Sequence, residues 1–214
     1  WAPLGVYVHL AEKIKRMVKS PVIVGWRLAD PVLAEEVIRR EKADLVTIGR
    51  ALIADPELPR KVMAKKLEDI RPCIICNRYF DRVLAYSLPL ACAVNPAVGM
   101  KTQYMTKPAE RSKKVVIVDG GPAGMDATRL ATLRGHKVVL YEKEPNLGGQ
   151  LLLTGIPPYK DEINKLAKYF VTQLEKLGVE VNLKIEATPK TITKKTPDVI
   201  LIATGVTPLI SNFP

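Results

Sequence analysis

The sequence has few cysteines, histidines and aromatic residues: three cysteines, two histidines and 6% aromatics among 214 residues. Three thiols cannot all pair within one chain, which argues against a disulfide-stapled secreted fold and predicts a reducing, cytoplasmic compartment. No apolar run approaches the roughly 20 residues that a transmembrane helix needs, so we expect no membrane partner. The sequence also has no H-E-x-x-H motif and no Ser-His-Asp order, and it offers no candidate catalytic residue.

Positive charge is in excess, with a formal net charge of +11 at pH 7. The basic residues are spread along the chain in short clusters, and none of these clusters is interleaved with aromatic residues as a base-stacking surface would be. The clusters are Arg39-Arg40, Lys65-Lys66, Lys113-Lys114 and Lys194-Lys195. We therefore expect solvated faces and no nucleic-acid partner. The charge would also attract anionic cofactors.

The first 70 residues alternate between predicted helices and predicted strands. Two short apolar runs, Pro21–Gly25 and Ala43–Gly49, are typical of buried parallel strands. The three predicted helices are Leu10–Ser20, Asp30–Glu41 and Asp55–Lys66. This alternation favours parallel α/β structure such as a β/α barrel, but two strands cannot close a barrel. Either sequence outside this chain supplies further strands, or the two strands form a small open sheet.

Two of these helices are predicted to begin at an Asp-Pro pair. Asp30 is a suitable N-cap with Pro31 at the first helical position, and Asp55 opens the next helix in the same way. The helix after Asp30 is expected to turn one apolar face toward the core. The members of that face are Val32, Leu33, Val37 and Ile38.

All three cysteines fall within residues 71–110, a segment of weak periodicity that we predict to be a loop followed by a linker. Cys73 and Cys76 have C-x-x-C spacing, and Cys92 follows downstream. Three thiols are one fewer than a tetrahedral metal site takes. From the residues alone, an iron–sulfur or zinc site, a redox dithiol and three unrelated cysteines all stay open.

A glycine-rich turn between a predicted strand and a predicted helix carries the clearest signal of ligand binding. Residues 119–124 are D-G-G-P-A-G, and Glu142 ends the next predicted strand. In the dinucleotide fingerprint G-x-G-x-x-G, the glycines allow the tight turn, the approach of the pyrophosphate and close helix packing, and a later acid binds the ribose. Asp119 holds the first glycine position, where its carboxylate would repel a pyrophosphate. The alternative is a tight turn that binds nothing.

The remainder of the chain continues this second α/β unit. A helix over residues 161–178 is predicted to place four apolar side chains on one face. They are Ile163, Leu166, Phe170 and Leu174. Strands are predicted at residues 179–184 and 197–205. Because the last of them is almost wholly apolar, we expect a central strand covered on both faces.

Three motifs, in this order, carry a resemblance to a known family. Residues 21–61, PVIVGWRLADPVLAEEVIRREKADLVTIGRALIADPELPRK, resemble the end of the flavin-binding barrel of the old yellow enzyme family. The stretches DGGPAGMDATRLATLRGHKVVLYEKEPNLGGQLL and PDVILIATGVTP resemble the FAD/NAD-binding part of flavoprotein reductases. Joined through a cysteine segment, they resemble the NADH:flavin oxidoreductases that carry an iron–sulfur cluster. This group includes 2,4-dienoyl-CoA reductases, 2-enoate reductases and trimethylamine dehydrogenase.

The resemblance implies an internal fragment of a longer α/β protein with three parts. Residues 1–70 would be the C-terminal part of a flavin-binding β/α (TIM) barrel, and residues 71–110 an iron–sulfur-type cysteine loop and linker. Residues 111–214 would be an incomplete, Rossmann-like FAD/NAD(P)-binding domain. Because part of a barrel exposes apolar surface, we expect that the missing barrel half or an oligomer partner is needed.

The resemblance also implies a function. NAD(P)H would deliver hydride to FAD, electrons would pass through a [4Fe–4S] cluster to FMN, and FMN would reduce the C=C bond of an enoyl or enoyl-CoA substrate. Two alternatives are a non-catalytic dinucleotide-binding module and an inactive remnant that has lost its cofactor sites.

Positions of the first two motifs match residues that bind cofactors in the family. The phosphate loops of the barrel match Arg27, Gly49 and Arg50, which implies an FMN site, although Trp26 stands where the family usually has glycine. The cluster pattern C-x2-C-x3-C-x11-C matches three cysteines and places Phe80 at the third ligand position. The implied metal ligands are Cys73, Cys76 and Cys92.

The third motif implies the residues that would hold FAD and NAD(P). Glu142 and Lys143 would contact the adenosine end, while Gln150 and the segment ending at Gly205 would lie near the flavin. The whole implied set is Gly120, Gly121, Ala123, Gly124, Glu142, Lys143, Gly149, Gln150, Ala203, Thr204 and Gly205.

Overall fold

The computed structural model describes residues 2–206, apart from the side chain of Asp81. The chain divides into two compact units, Trp1–Lys101 and Thr102–Pro214. The predicted three-part division therefore stays a prediction, and its outer ends, residue 1 and residues 207–214, lie outside the described residues. Within the described part, none of the helices has the length and apolar character that crossing a membrane requires.

The first unit follows the predicted alternation of helices and strands. Its elements are α1 (Val8–Lys15), β1 (Ile23–Val24), α2 (Pro31–Arg39), β2 (Leu45–Val46), α3 (Arg50–Ala54), α4 (Leu58–Met63), a 3₁₀ turn (Leu67–Asp69), α5 (Arg78–Phe80) and a π-helical turn (Asp81–Ala85). β1 and β2 pair in parallel, with Ile23 opposite Leu45 and Val24 opposite Val46. The described residues thus form a small open sheet. The predicted cysteine loop contains two short helical turns.

The core of the first unit joins one face of this sheet to the helices. Its buried members are Ala11, Val24, Leu28, Val37 and Ala43. The opposite face of the sheet carries Ile23 and Leu45, whose side chains are 57% and 52% exposed. The prediction of two fully buried strands is therefore wrong for this face, because no described element covers it.

Helix α2 begins as predicted but buries a narrower face. The Asp30 Oδ1 atom accepts a hydrogen bond from the amide of Val32 at 2.9 Å, which confirms the cap. Ala34 and Val37 are buried, whereas Val32 and Ile38 are exposed, so the predicted apolar face is wrong at both ends. The reason is geometric: at 3.6 residues per turn, the span from Val32 to Ile38 covers an arc of about 240°, more than one face of a helix.

The second Asp-Pro pair does not begin a helix. α4 begins at Leu58 with Glu57 at its N-cap position, so the prediction of a helix from Asp55 is wrong by three residues. Asp55 instead ends α3, where its amide donates to the carbonyl oxygen of Ala51. Its side chain is engaged in tertiary hydrogen bonds, described below.

The second unit is a four-stranded parallel sheet with helices. Its elements are β3 (Lys114–Val118), α6 (Pro122–Leu133), β4 (Lys137–Glu142), α7 (Gln150–Thr154), α8 (Asp161–Lys176), β5 (Glu180–Leu183), α9 (Pro189–Thr193) and β6 (Val199–Ile202). The strand order is β5-β4-β3-β6. All three strand pairs are parallel. The α/β class with parallel strands is therefore confirmed for both units.

Helix α8 confirms the predicted apolar face, and β6 contradicts its prediction. Each of the four apolar side chains predicted for α8 is at most 9% exposed. β6 lies at the edge of the described sheet, and its four side chains are all exposed. The prediction of a central strand covered on both faces is wrong within residues 2–206, because no described strand or helix lies beyond β6.

Candidate functional site

The cysteine segment of the first unit is anchored at both ends by buried polar groups. The Asp55 carboxylate, 4% exposed, accepts from the amide of Arg71 at 2.8 Å. The Arg71 guanidinium donates to the carbonyl oxygen of Val94 at 2.9 Å. The side-chain amide of Asn95 donates to the carbonyl oxygen of Ile53 at 2.9 Å. These bonds hold the chain before Cys73 and the chain after Cys92 against α3.

The three cysteines line one small, open pocket. None of the three is in a disulfide. The other lining residues are Arg50, Ile53, Asn77, Arg78, Tyr79 and Ala91. Cys73 and Cys92 are partly buried, whereas Cys76 is exposed. Burial raises the pKa of the Cys73 thiol, and the amide of Ile75 and the charge of Arg50 oppose that rise.

The donor set of this pocket does not fit a four-thiolate iron–sulfur cluster. Phe80 occupies the third ligand position, and its half-exposed ring lies edge-to-face on Tyr79 at 6.1 Å. Within the described part of the chain, no three His, Cys, Asp or Glu side chains are arranged to hold a metal ion. A [4Fe–4S] cluster takes four thiolates. The pocket therefore lacks the fourth ligand that such a cluster needs.

Differences in thiol environment predict an order of alkylation. At neutral pH we expect iodoacetamide to modify Cys76 several-fold faster than Cys73, because Cys76 is exposed while burial raises the pKa of Cys73 and lowers its thiolate fraction. Peptide mass spectrometry along a time course measures both rates in one sample. Modification of Cys73 ahead of Cys76 would contradict the arrangement of the pocket.

The predicted phosphate residue Arg50 also belongs to this pocket. It is the first residue of α3, after Gly49 at the N-cap position, and its Nη1 atom donates to the side-chain oxygen of Asn77 at 2.7 Å. A Cβ added to Gly49 would contact nothing within 4 Å, so the backbone there is accessible. The sequence interpretation missed Asn77. Its position directly after Cys76 and its amide side chain were the available signals.

The second predicted arginine follows a bulky residue in an unusual conformation. Trp26 and Arg27 have φ values of 73° and 53°, in the left-handed region that few residues other than glycine adopt. The Trp26 ring is half exposed and lies 5.9 Å from the ring of Tyr7. The Arg27 guanidinium donates to the carbonyl oxygen of Ala2. The role of Arg27 in binding FMN stays a prediction.

In the second unit, the glycine turn connects β3 to α6. Gly121 is the N-cap residue of α6, and its backbone is extended. Pro122 takes the first helical position. A Cβ added to Gly124 would lie 1.8 Å from the carbonyl oxygen of Asp119. Only glycine permits this approach of helix to strand, which is the packing that the third glycine of the fingerprint provides.

Asp119 adopts the conformation that glycine would have at the first position. Its φ is 87°, and its Oδ2 atom accepts a hydrogen bond from the Gly121 amide at 3.0 Å. The pKa of the Asp119 carboxyl is raised, chiefly by burial and also by the Glu142 carboxylate. The Gly121 amide and the charge of Lys143 act in the opposite direction. The carboxylate therefore lies inside the turn.

Glu142, the predicted ribose-binding acid, is hydrogen-bonded to the backbone of the turn. Its side chain is 2% exposed, and its Oε2 atom accepts from the Gly120 amide at 2.7 Å. Its Oε1 atom accepts from the Glu144 amide at 2.8 Å. Lys143 follows with an exposed side chain. A carboxylate has about four lone-pair sites, so these two bonds leave Glu142 able to accept a further donor.

Two other predicted segments converge on the turn. The Gly148 amide donates to the carbonyl oxygen of Gly120 at 2.9 Å, and a Cβ added to Gly149 would lie 3.0 Å from the Gly121 Cα atom. The Ala203 side chain would lie 3.6 Å from a Cβ added to Gly124.

The side chain of Gln150 donates to the carbonyl oxygen of Val206 at 3.4 Å. Thr204 and Gly205 continue the chain from Ala203, and Ala123 lies in the first turn of α6. The structure thus brings the predicted nucleotide-binding residues of the second unit together at the carboxyl end of β3.

A parallel α/β unit with a glycine turn at a strand end is typical of nucleotide-binding domains. The model of the NADH:flavin oxidoreductase / NADH oxidase family matches residues 4–69.

Three relatives extend the similarity to nearly the whole chain. The cinnamate reductase of Clostridium sporogenes is 41% identical over 204 residues, which are 95% of this chain and 31% of that protein. The NADH oxidase of Thermoanaerobacter brockii is 42% identical over 212 residues, 96% of this chain and 32% of that protein. A solved 2-naphthoyl-CoA reductase complex superposes with a TM-score of 0.94 at 35% identity, over 98% of this chain and 32% of that one.

These comparisons confirm the resemblance to flavin-dependent NADH oxidoreductases. They also show that the chain spans about a third of the length of the curated relatives it matches. The activity, substrates and partners of a whole protein are therefore proposals.

Proposed function

We propose that the chain is part of a flavin-dependent oxidoreductase in which the second unit is a Rossmann-like domain that binds FAD and accepts hydride from NAD(P)H. The observation that carries this proposal is the convergence of three glycine-containing segments at the carboxyl end of β3. In open parallel sheets, dinucleotides bind at the carboxyl ends of the strands. The strand order β5-β4-β3-β6 corresponds to the 3-2-1-4 order of such folds.

The glycine turn at the start of α6 forms a candidate phosphate cradle. Gly121 is the N-cap residue of α6, so the helix turns its amino end toward this cradle. Backbone amides and the helix dipole there favour an anion. We propose that Glu142 and Lys143 contact the adenosine end and that Gly149, Gln150 and Thr204 lie near the flavin.

For the first unit we propose an FMN site in the C-terminal part of a β/α barrel. The match of residues 4–69 to the NADH:flavin oxidoreductase / NADH oxidase family supports a flavin there. Arg27 and Arg50 would donate paired hydrogen bonds to the FMN phosphate, beside the open backbone of Gly49. Bound flavin supplies the hydride chemistry, and these residues orient it. The remaining barrel strands, in the same chain or another, would cover Ile23 and Leu45.

The proposed reaction is reduction of a C=C bond activated by a carbonyl group. Two of the relatives are named as reductases of cinnamate and of 2-naphthoyl-CoA, which both carry unsaturation conjugated to a carboxyl derivative. We propose an enoyl or enoyl-CoA substrate and a cytoplasmic location, which three free thiols suit. We propose no nucleic-acid or membrane partner.

Flavin retention tests this function. We expect the 214-residue chain, incubated with FAD and FMN and then desalted, to keep flavin absorption bands at up to one FAD per chain. Iron and sulfide measured on the same anaerobic sample should fall short of four irons per chain, because the pocket offers three thiols. A spectrum that contains only protein absorption after this treatment would overturn the proposed function.

A second candidate is a dinucleotide-binding module without catalysis. The observation that favours it is a difference between the two units. The second unit has the glycine turn of a nucleotide site, whereas the cysteine pocket of the first unit has Phe80 at the position of a fourth cysteine ligand. Anaerobic addition of NADH or NADPH distinguishes the candidates. Bleaching of bound flavin supports the oxidoreductase, and retained FAD that neither nucleotide bleaches supports the module.

A further inference from the structure

We propose that Asp119 is a built-in competitor for the phosphate-binding turn: its carboxylate occupies the anion position at the Gly121 amide, and a dinucleotide must displace it to bind. This inference rests on the proposed nucleotide-binding function of the second unit and deepens it. It assigns to Asp119 a role in setting the affinity of the site.

The first argument is positional. Asp119 is the residue of the turn at which the fingerprint has its first glycine, and its φ of 87° reproduces a glycine conformation. The positive φ that glycine would allow is therefore present although the glycine is not. What differs is the side chain, which bends back into the turn.

The second argument is the hydrogen bond that the side chain makes. Asp119 Oδ2 lies 3.0 Å from the Gly121 amide, and a Cβ added to Gly121 would lie 2.8 Å from the same oxygen. Gly121 is the N-cap residue of α6. An amide at the start of a helix is the kind of donor that a phosphate oxygen uses. The carboxylate stands in for that oxygen.

The third argument is electrostatic. Glu142, buried beneath the turn, holds the neighbouring Gly120 amide at 2.7 Å. Two carboxylates thus face one short turn, and Lys143 is the cation that acts on Asp119. Two like charges at close range repel more strongly when they are partly buried than when they are in water. A pyrophosphate entering the turn would meet Asp119 first.

A purely structural role for Asp119 makes a different prediction. An aspartate that bonds the amide two residues on stabilises a turn and tolerates a positive φ without opposing any ligand. The substitution Asp119→Asn keeps an acceptor oxygen for that bond and removes the charge. Asp119→Gly removes both, in a conformation that glycine adopts without strain.

The test is equilibrium binding of FAD to the full 214-residue chain, measured by flavin fluorescence at low and at high salt. The variants are Asp119→Asn, Asp119→Gly and, as a control of equal charge change, Asp161→Asn at the exposed start of α8. We expect both Asp119 variants to bind FAD about tenfold more tightly than the unaltered chain at low salt, with a smaller gap at high salt. The control should match the unaltered chain.

The outcomes separate this inference from the proposed function. Equal affinity of the unaltered chain and both Asp119 variants, or weaker binding by the variants, would overturn the competitor role while leaving nucleotide binding intact. Thermal unfolding checks that all four chains are folded. If none of the folded chains binds FAD, the proposed function fails and this inference fails with it. Tighter binding by Asp119→Gly alone would support a competitor that acts by occupying the Gly121 amide, because asparagine keeps that hydrogen bond and glycine does not.

Discussion

Replacing Asp55 with alanine is expected to lower the free energy of unfolding of the first unit by about 3 kcal/mol, the scale for breaking a buried ion pair from one side. The Asp55 carboxylate is almost fully buried and accepts three donors. They are the Lys61 ammonium at 2.6 Å, the Arg71 amide at 2.8 Å and the Glu57 amide at 3.1 Å. Alanine leaves all three without that acceptor, and unmade buried hydrogen bonds are costly.

Asp30→Ala is the matched control for this change. Asp30 also accepts a backbone amide through its side chain, but it caps α2 from a partly exposed position. Loss of such a cap costs about 1 kcal/mol. Both tryptophans, Trp1 and Trp26, belong to the first unit, so urea unfolding followed by tryptophan fluorescence reports on that unit.

Asp55→Ala should also speed alkylation of Cys73, because the Arg71 amide that anchors the cysteine segment loses its partner. Equal losses of stability for the two alanine variants, with unchanged alkylation of Cys73, would show that Asp55 does not anchor the segment.

Local sequence patterns predicted the elements whose formation depends on near neighbours. Asp30 and Pro31 marked the start of α2, and the spacing of Ile163, Leu166, Phe170 and Leu174 marked the buried face of α8. The glycine turn was equally predictable, because α6 approaches β3 so closely that a Cβ at Gly124 would lie 1.8 Å from the Asp119 carbonyl oxygen, which demands glycine at that position. These constraints act within a few residues, so the sequence displays them.

The features that were missed depend on residues far apart in the chain. Asp55 and Arg71 are 16 positions apart, and Arg50 and Asn77 are 27 apart, so no local period reveals either bond. The wrong expectation for β6 has a related cause. An apolar strand indicates burial only if other elements cover it, and residues 2–206 place β6 at an edge. The composition of a strand shows that its side chains favour burial. It does not show whether the chain contains the elements that would cover them.

Gly124→Ala is expected to destabilise the second unit by at least about 3 kcal/mol, the upper range for forcing extra atoms into a packed site. The added Cβ would lie 1.8 Å from the Asp119 carbonyl oxygen. Both groups are held: Gly124 is inside α6, and Asp119 follows β3, with its amide bonded to the carbonyl oxygen of Tyr141 at 2.8 Å. Relief of the contact therefore requires α6 to move away from the sheet.

Gly135→Ala provides the control within the same unit. Gly135 has a φ of 89°, and an added Cβ would contact nothing within 4 Å, so its cost is the backbone strain alone, about 1 kcal/mol. Hydrogen exchange read by mass spectrometry on peptides from β3 and α6 measures both variants where the change acts. Losses of protection that are equal in the two variants would mean that α6 does not approach β3 this closely. A large loss of protection in Gly124→Ala alone would mean that α6 packs closely against the end of β3 in the unaltered protein. Only such close packing makes an added methyl group at this position so costly.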